Sequence, residues 1–192
     1  MPSWTEARAA LTGMKLLLRF DAGFVQWFDR SHAGALRSFY LMIPVFPLFL
    51  YLRFGEFGVS PDATAFRVVS LTLINYALSW IMFPLILIVL GRAIEREGQA
   101  IAAIACYNWV NFAWAILACL LTFAGSAGLL GDWADTAARI LVLASLIYEA
   151  YMLRVLLGIG YGGAILLAVV DYLLMWSLFI LLMSPVIYLP SS

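Results

Sequence analysis

Between Arg67 and Arg92 the chain carries no charged residue. An α-helix rises about 1.5 Å per residue, so about 20 apolar residues reach across the roughly 30 Å hydrocarbon core of a bilayer. A charge-free apolar stretch of that length has no polar face to turn toward water. Composition extends the signal to the whole chain: of 192 residues, 65% are hydrophobic and only 11% charged, and the mean hydropathy is +1.00. A soluble domain carries about 45–50% apolar and roughly 25% charged residues, and a chain of this size has too little interior to hide the difference. A free-standing soluble globule is excluded, and so is a disordered chain. The expected fold class is all-α: a polytopic membrane helix bundle with five transmembrane helices, preceded by an N-terminal interfacial amphipathic helix.

Residues 1–31 are expected to form the interfacial segment and residues 32–192 the membrane domain, with spans at about 33–52, 67–91, 100–123, 139–157 and 164–183. Ser31 is placed to cap the first span. Pro44 and Pro47 each remove a backbone donor inside it, so it should kink, split or become re-entrant. Pro84 should bend the second span near its end. The third is rich in alanine and holds Cys106 and Cys119, small residues that let neighbouring helices approach closely. Glycine-rich turns, Gly125–Gly131 and Gly158–Gly163, separate the later spans, and Ser184-Pro185 ends the last. The first of these turns follows a helix and not a strand, and the lysine of a phosphate-binding loop does not follow it.

The first residues lack the long apolar core of a signal peptide. Ser3-Trp4-Thr5-Glu6 reads instead as a capping box. Trp4, Ala7, Leu11, Met14 and Leu18 then recur at helical spacing, with Arg8, Lys15 and Arg19 off the stripe. Such a helix is expected to lie in the headgroup plane with its apolar side down; packing of the stripe on the protein's own helices is the alternative. Asp21 and Gly23 end it, and Phe24 to Phe28 should continue along the interface. Lys and Arg placement gives the orientation. Arg8, Lys15, Arg19, Arg30, Arg37, Arg92, Arg96 and Arg154 fall on one side, against Arg53, Arg67 and Arg139 on the other, so the N-terminus is expected inside and the C-terminus outside.

Eleven basic and eleven acidic residues cancel, and no basic run exists. Nucleic acid therefore has no electrostatic footprint to bind. His32 stands alone and no Cys/His cluster occurs, so no metal or cofactor is expected and no nucleophile, histidine and acid set can be assembled. The informative residues are polar ones inside the spans, because each costs free energy in a bilayer and needs a partner. These are Asn75, Ser79, Asn108, Asn111, Glu149 and Asp171. Counting about 1.5 Å per residue, Ser79, Asn108, Glu149 and Asp171 reach one level about 12–16 Å from the inner face. Glu149 and Asp171 lie on the two arms of a tight hairpin and can share one interior, and even one proton. Arg154 can bridge to Asp171 or snorkel to the headgroups. This belt reads as interhelical glue, as a proton or ion relay, or as a catalytic or lipid-headgroup site. The first reading makes the chain a non-enzymatic scaffold or accessory subunit; the alternative is a small transporter or channel using Glu149 and Asp171. The bilayer is the expected partner, with other membrane proteins or further copies of the chain beside it.

Two stretches carry a resemblance. From Phe83 to Ala113, Gly91-Arg92 and Glu95-Arg96 precede Tyr107-Asn108-Trp109. From Tyr151 to Tyr172 come Leu153-Arg154, Leu157-Gly158 and Ala168-Val-Val-Asp171-Tyr172. With Phe28-Asp29-Arg30-Ser31 and Arg37-Ser38-Phe39, these resemble a family of small, uncharacterised bacterial inner-membrane proteins, similar in layout to the five-helix Yip-type membrane proteins. The resemblance implies a five-span fold and an inner-membrane location. The motif of eukaryotic Yip proteins is missing from the sequence, so binding to Rab-like GTPases is not implied.

Overall fold

In the computed structural model the described residues are 1–56 and 58–188. Phe57, and residues 189–192 at the end of the expected membrane domain, lie outside them. The chain is an all-α bundle. Five helical stretches are long and apolar enough to cross a membrane: His32–Arg53, Ala65–Ala93, Glu97–Ser126, Gly131–Leu157 and Tyr161–Met183. The first is composite. Helix α2 (His32–Ser38) passes through a 3-10 turn, Phe39–Leu41, into α3 (Met42–Glu56). Pro44 explains the tighter turn just before it, because its ring clashes with the carbonyl one turn back and removes a donor. The segment continues past both prolines, so they modulate the span and do not turn it back.

The remaining spans are α4 (Ala65–Ala93), α5 (Glu97–Ser126), α6 (Ala134–Leu157) and α7 (Tyr161–Met183). Helix α5 touches α2, α3, α4 and α6, while α7 packs on α6 and α4. Its small side chains explain the central place: Ala100, Ala102, Ala103, Ala105 and Cys106 are all buried, and they let four neighbours come close. A short antiparallel pairing joins β1 (Gly58–Val59) to β2 (Ile187–Tyr188). It ties the segment after the first span to the segment after the last, at one end of the bundle.

The opposite end is closed by tight turns. A Cβ on Gly91 would stand 2.5 Å from the Cβ of Ala100, so the start of α5 folds back directly on the end of α4. The C-terminus of α6 ends at Gly158, whose φ of 61° suits glycine. The Arg96 guanidinium donates to the carbonyls of Leu157 and Gly158. A cation on the last carbonyls satisfies acceptors that the helix leaves open and meets the negative end of its dipole.

At the N-terminus α1 (Trp4–Leu17) begins with the capping box, Ser3 and Glu6 each accepting from the other's backbone. The helix has three sides. Ala10, Gly13 and Leu17 are buried, and a Cβ on Gly13 would press 2.6 Å from the Phe28 ring. The next quadrant holds the exposed apolar residues Trp4, Leu11 and Leu18, and the one after it Arg8, Lys15 and Arg19. The two expected alternatives are thus divided between two faces: Ala10, Gly13 and Leu17 pack on the protein with Met14 of the stripe beside them, and Trp4, Leu11 and Leu18 are left outward beside the basic residues. The stretch after α1 departs from expectation. It forms a 3-10 turn, Ala22–Trp27, and Phe24 and Phe28 are buried in the main core and not laid along an interface. The reason is space at Gly13, which admits the Phe28 ring.

An ion cluster fixes this segment. Arg37 donates to Glu6 Oε1 from Nε and Nη2, at 2.9 and 2.7 Å, and also pairs with Asp29. Burial opposes ionisation of Glu6, but hydrogen bonds from Ser3 and the Arg37 charge outweigh it and hold the carboxyl below its usual range. Asp29 is also held low, by hydrogen bonds from Ser31 and then by Arg37. Groups with depressed folded values stabilise above their unfolded values and lose that contribution as pH falls through the folded ones. Protection of α1 amides, corrected for intrinsic exchange, is therefore expected to be flat near neutrality and to fall on acidification below the usual carboxylate range. Protection that ignores acidification contradicts the cluster's role. In vesicles, Leu11→Asp puts a charge on the outward stripe and should speed exchange over residues 4–14, since about 2 kcal/mol of apolar burial is lost. Unchanged exchange means the protein contacts alone hold α1.

Candidate functional site

The polar residues at mid-depth divide into two groups, because neighbours on a helix point about 100° apart. Tyr107 and Asn111 are four apart on α5 and share the face toward α6 and α7. Asn108 faces elsewhere. It is fully buried, and its Nδ2 donates to Ser38 Oγ on α2 at 2.8 Å. Ser38 in turn donates to the Ala35 carbonyl at 2.7 Å. This chain of bonds ties α5 to the first span and leaves Asn108 Oδ1 without a partner.

The other group surrounds a cavity of about 170 Å³ between α5, α6 and α7, lined by Tyr107, Asn111, Trp114, Ser145, Glu149 and Asp171 among others. Tyr107 donates its hydroxyl to Asp171 Oδ2 at 2.8 Å. Both are buried, Asp171 with 6% of its surface exposed. Glu149 is half-buried on α6 and interacts electrostatically with Asp171 across the hairpin. One oxygen of each carboxyl, Glu149 Oε1 and Asp171 Oδ1, is buried with no hydrogen-bond partner. Ser145 is committed to the Val142 carbonyl at 2.7 Å. Helical rise puts Tyr107 and Asp171 about 15 Å, and Glu149 about 12 Å, from their helix ends at the Arg96 side. Their common level follows from the turn geometry. Gly158 and Arg96 bring the ends of α5, α6 and α7 together, so equal counts along each helix give equal depth.

Three expected members lie elsewhere. Ser79 donates to the Tyr76 carbonyl on its own helix at 2.7 Å, a bond that a helical serine can make without any neighbour. Asn75 is buried but outside the cavity. Arg154 makes no bridge to Asp171: its guanidinium lies 4.1 Å above the Tyr161 ring, directed toward the helix end and away from the carboxylates, as a long cationic side chain in apolar surroundings does. Among the described residues no group of three or more His, Cys, Asp or Glu side chains could hold a metal ion.

Two members of these polar clusters are not marked by sequence spacing as site residues. Tyr107 is the donor to Asp171, and its signal is its place one helical turn before Asn111. Arg37 joins Glu6 and Asp29, but nothing in the sequence links Glu6 to a residue 31 positions away. The motifs quoted for the family resemblance contain many of these partners. Asp29 with Arg37, Ser38 with Asn108, Arg96 with Leu157 and Gly158, and Tyr107 with Asp171 are among the pairs joined by hydrogen bonds.

Comparison of the chain with family models, with curated proteins and with solved structures gives no match. The five long apolar helices define the class, that of an integral membrane protein with five candidate spans.

Proposed function

We propose that this chain is a non-catalytic scaffold or accessory subunit within the bilayer, in a bacterial inner membrane and with the layout of the Yip-type proteins. The observation that carries the reading is the use of the polar side chains. Tyr107–Asp171, Asn108–Ser38, Arg96 on the end of α6, and Arg37 with Glu6 and Asp29 all join one element to another. Such bonds stabilise and orient helices where the hydrophobic effect between them is weak. The cavity at the carboxylates supports the same reading, since every lining residue lies at least about 7 Å inside the ends of its helix. Tagged full-length chain extracted in mild detergent is expected to carry a stoichiometric membrane partner or to run as a homo-oligomer. A monodisperse monomer without companions contradicts the proposal.

The basic residues support an orientation with the N-terminus cytoplasmic and the C-terminus periplasmic. A periplasm-active reporter fused after Ser192 is expected to be active, and one inserted near Glu97 inactive. Activity near Glu97 with none after Ser192 overturns the assignment of the C-terminus to the outside, and it is also the pattern expected if the first segment does not span and an even number of spans remains. A transporter is the second reading. It is favoured by Glu149 Oε1 and Asp171 Oδ1, which no bond in the protein satisfies.

A further inference from the structure

The carboxylate cavity has acceptors in excess of donors. Asp171 and Glu149 both line it, and Asp171 Oδ1 and Glu149 Oε1 are both buried with no hydrogen-bond partner. The hydroxyl hydrogen of Tyr107 is used on Asp171 Oδ2, and that of Ser145 on Val142. No basic side chain lines the cavity. Arg154 is stacked on Tyr161, Arg96 is bound to the end of α6, and Arg92 pairs with Glu97. The titratable groups facing the site are Tyr107 from α5, Glu149 from α6, and Asp171 and Tyr172 from α7, with Asn111 the one amide. Helix α4, packed against α7, adds none to the lining. Two full negative charges in such surroundings repel each other and lack hydration.

We propose that Glu149 and Asp171 form a proton-binding site, with one exchangeable proton held between Glu149 Oε1 and Asp171 Oδ1. A protonated carboxyl is a donor as well as an acceptor, so a single hydrogen closes both open positions and removes one of the two charges. The proton comes from water. The cavity has room for a few water molecules, each taking about 30 Å³ in the liquid. Tyr107 engages the other oxygen of Asp171, Oδ2, and leaves Oδ1 for the shared proton. The proposal concerns what the pair binds and does not rest on the scaffold reading.

Infrared spectroscopy of the full chain in nanodiscs tests it. The wild type is expected to show a protonated-carboxyl carbonyl band that shifts between water and heavy water. Carbon-13 labelling of aspartate and of glutamate should identify its owner. Asp171→Asn and Glu149→Gln should each abolish the band. Asp171→Asn is expected to stay folded, because its amide can donate to Glu149 where the proton did. Absence of the band in the wild type, or its persistence in both variants, overturns the proposal. So does a sodium site, which would appear as an unfolding midpoint that rises in sodium chloride but not in choline chloride, without the band. The isotope readout on the wild type decides the matter even where a variant fails to fold.

Discussion

Tyr107→Phe is expected to lower the unfolding free energy of the bundle by about 2 kcal/mol, read in detergent as a lower unfolding midpoint. An interhelical hydrogen bond in a membrane protein contributes about 0.6 kcal/mol on average. The larger effect expected here comes from what is left behind. Without the phenol, Asp171 Oδ2 becomes a buried acceptor that has lost its donor, and an orphaned group costs about 1–3 kcal/mol, more when it is charged. The phenylalanine ring keeps the packing of Tyr107 on Phe83, whose ring centroid is 4.9 Å away. Packing loss therefore cannot account for the change. Asp171→Asn in the same assay should cost less than about 1 kcal/mol, because an amide keeps the shape and remains a hydrogen-bonding group. Equal losses from the two variants contradict this account of the site.

Gly91→Leu is expected to cost about 3 kcal/mol and to loosen the α4–α5 turn. Even a methyl group at this position meets the Ala100 Cβ at 2.5 Å, with the Arg96 carbonyl oxygen at 3.3 Å behind it. Overpacking a close-fitted contact costs roughly 1–3 kcal/mol, and backbone on the far side cannot yield as a flexible side chain would. Gly91→Ala gains about 1 kcal/mol in helix propensity, which offsets part of its smaller clash. Pairing Gly91→Ala with Ala100→Gly removes that clash and should restore most of the stability. If the pair is no more stable than Gly91→Ala alone, the close approach does not hold this turn together.

The five spans are legible in the amino-acid sequence from length and charge, because a bilayer demands about 20 apolar residues and the chain offers five such runs. Helix ends are harder to read. Helix α5 starts at Glu97, before the purely apolar run, because an acidic residue in the first turn meets the positive end of the dipole. Helix α6 starts at Ala134 with Asp135 in its first turn for the same reason. Glu149 and Asp171 can be paired from the sequence because they lie at similar distances from one tight turn. Ser79 and Arg154 cannot be placed by depth, since depth leaves the direction of a side chain open. The serine meets its need on its own helix and the arginine on Tyr161. The Arg37 cluster joins residues far apart in the chain, and apolar periodicity carries no information about such a contact.

The claim that the mid-depth polar residues hold the bundle together, and are not a pathway through it, is tested most directly in sealed vesicles. Full-length chain reconstituted into proteoliposomes with an internal pH dye is put under a proton gradient and then under a sodium gradient. The account predicts that both gradients decay at the rate of protein-free vesicles, and that Asp171→Asn changes nothing. Gradient decay that scales with the amount of protein and is abolished by Asp171→Asn in a folded chain contradicts it.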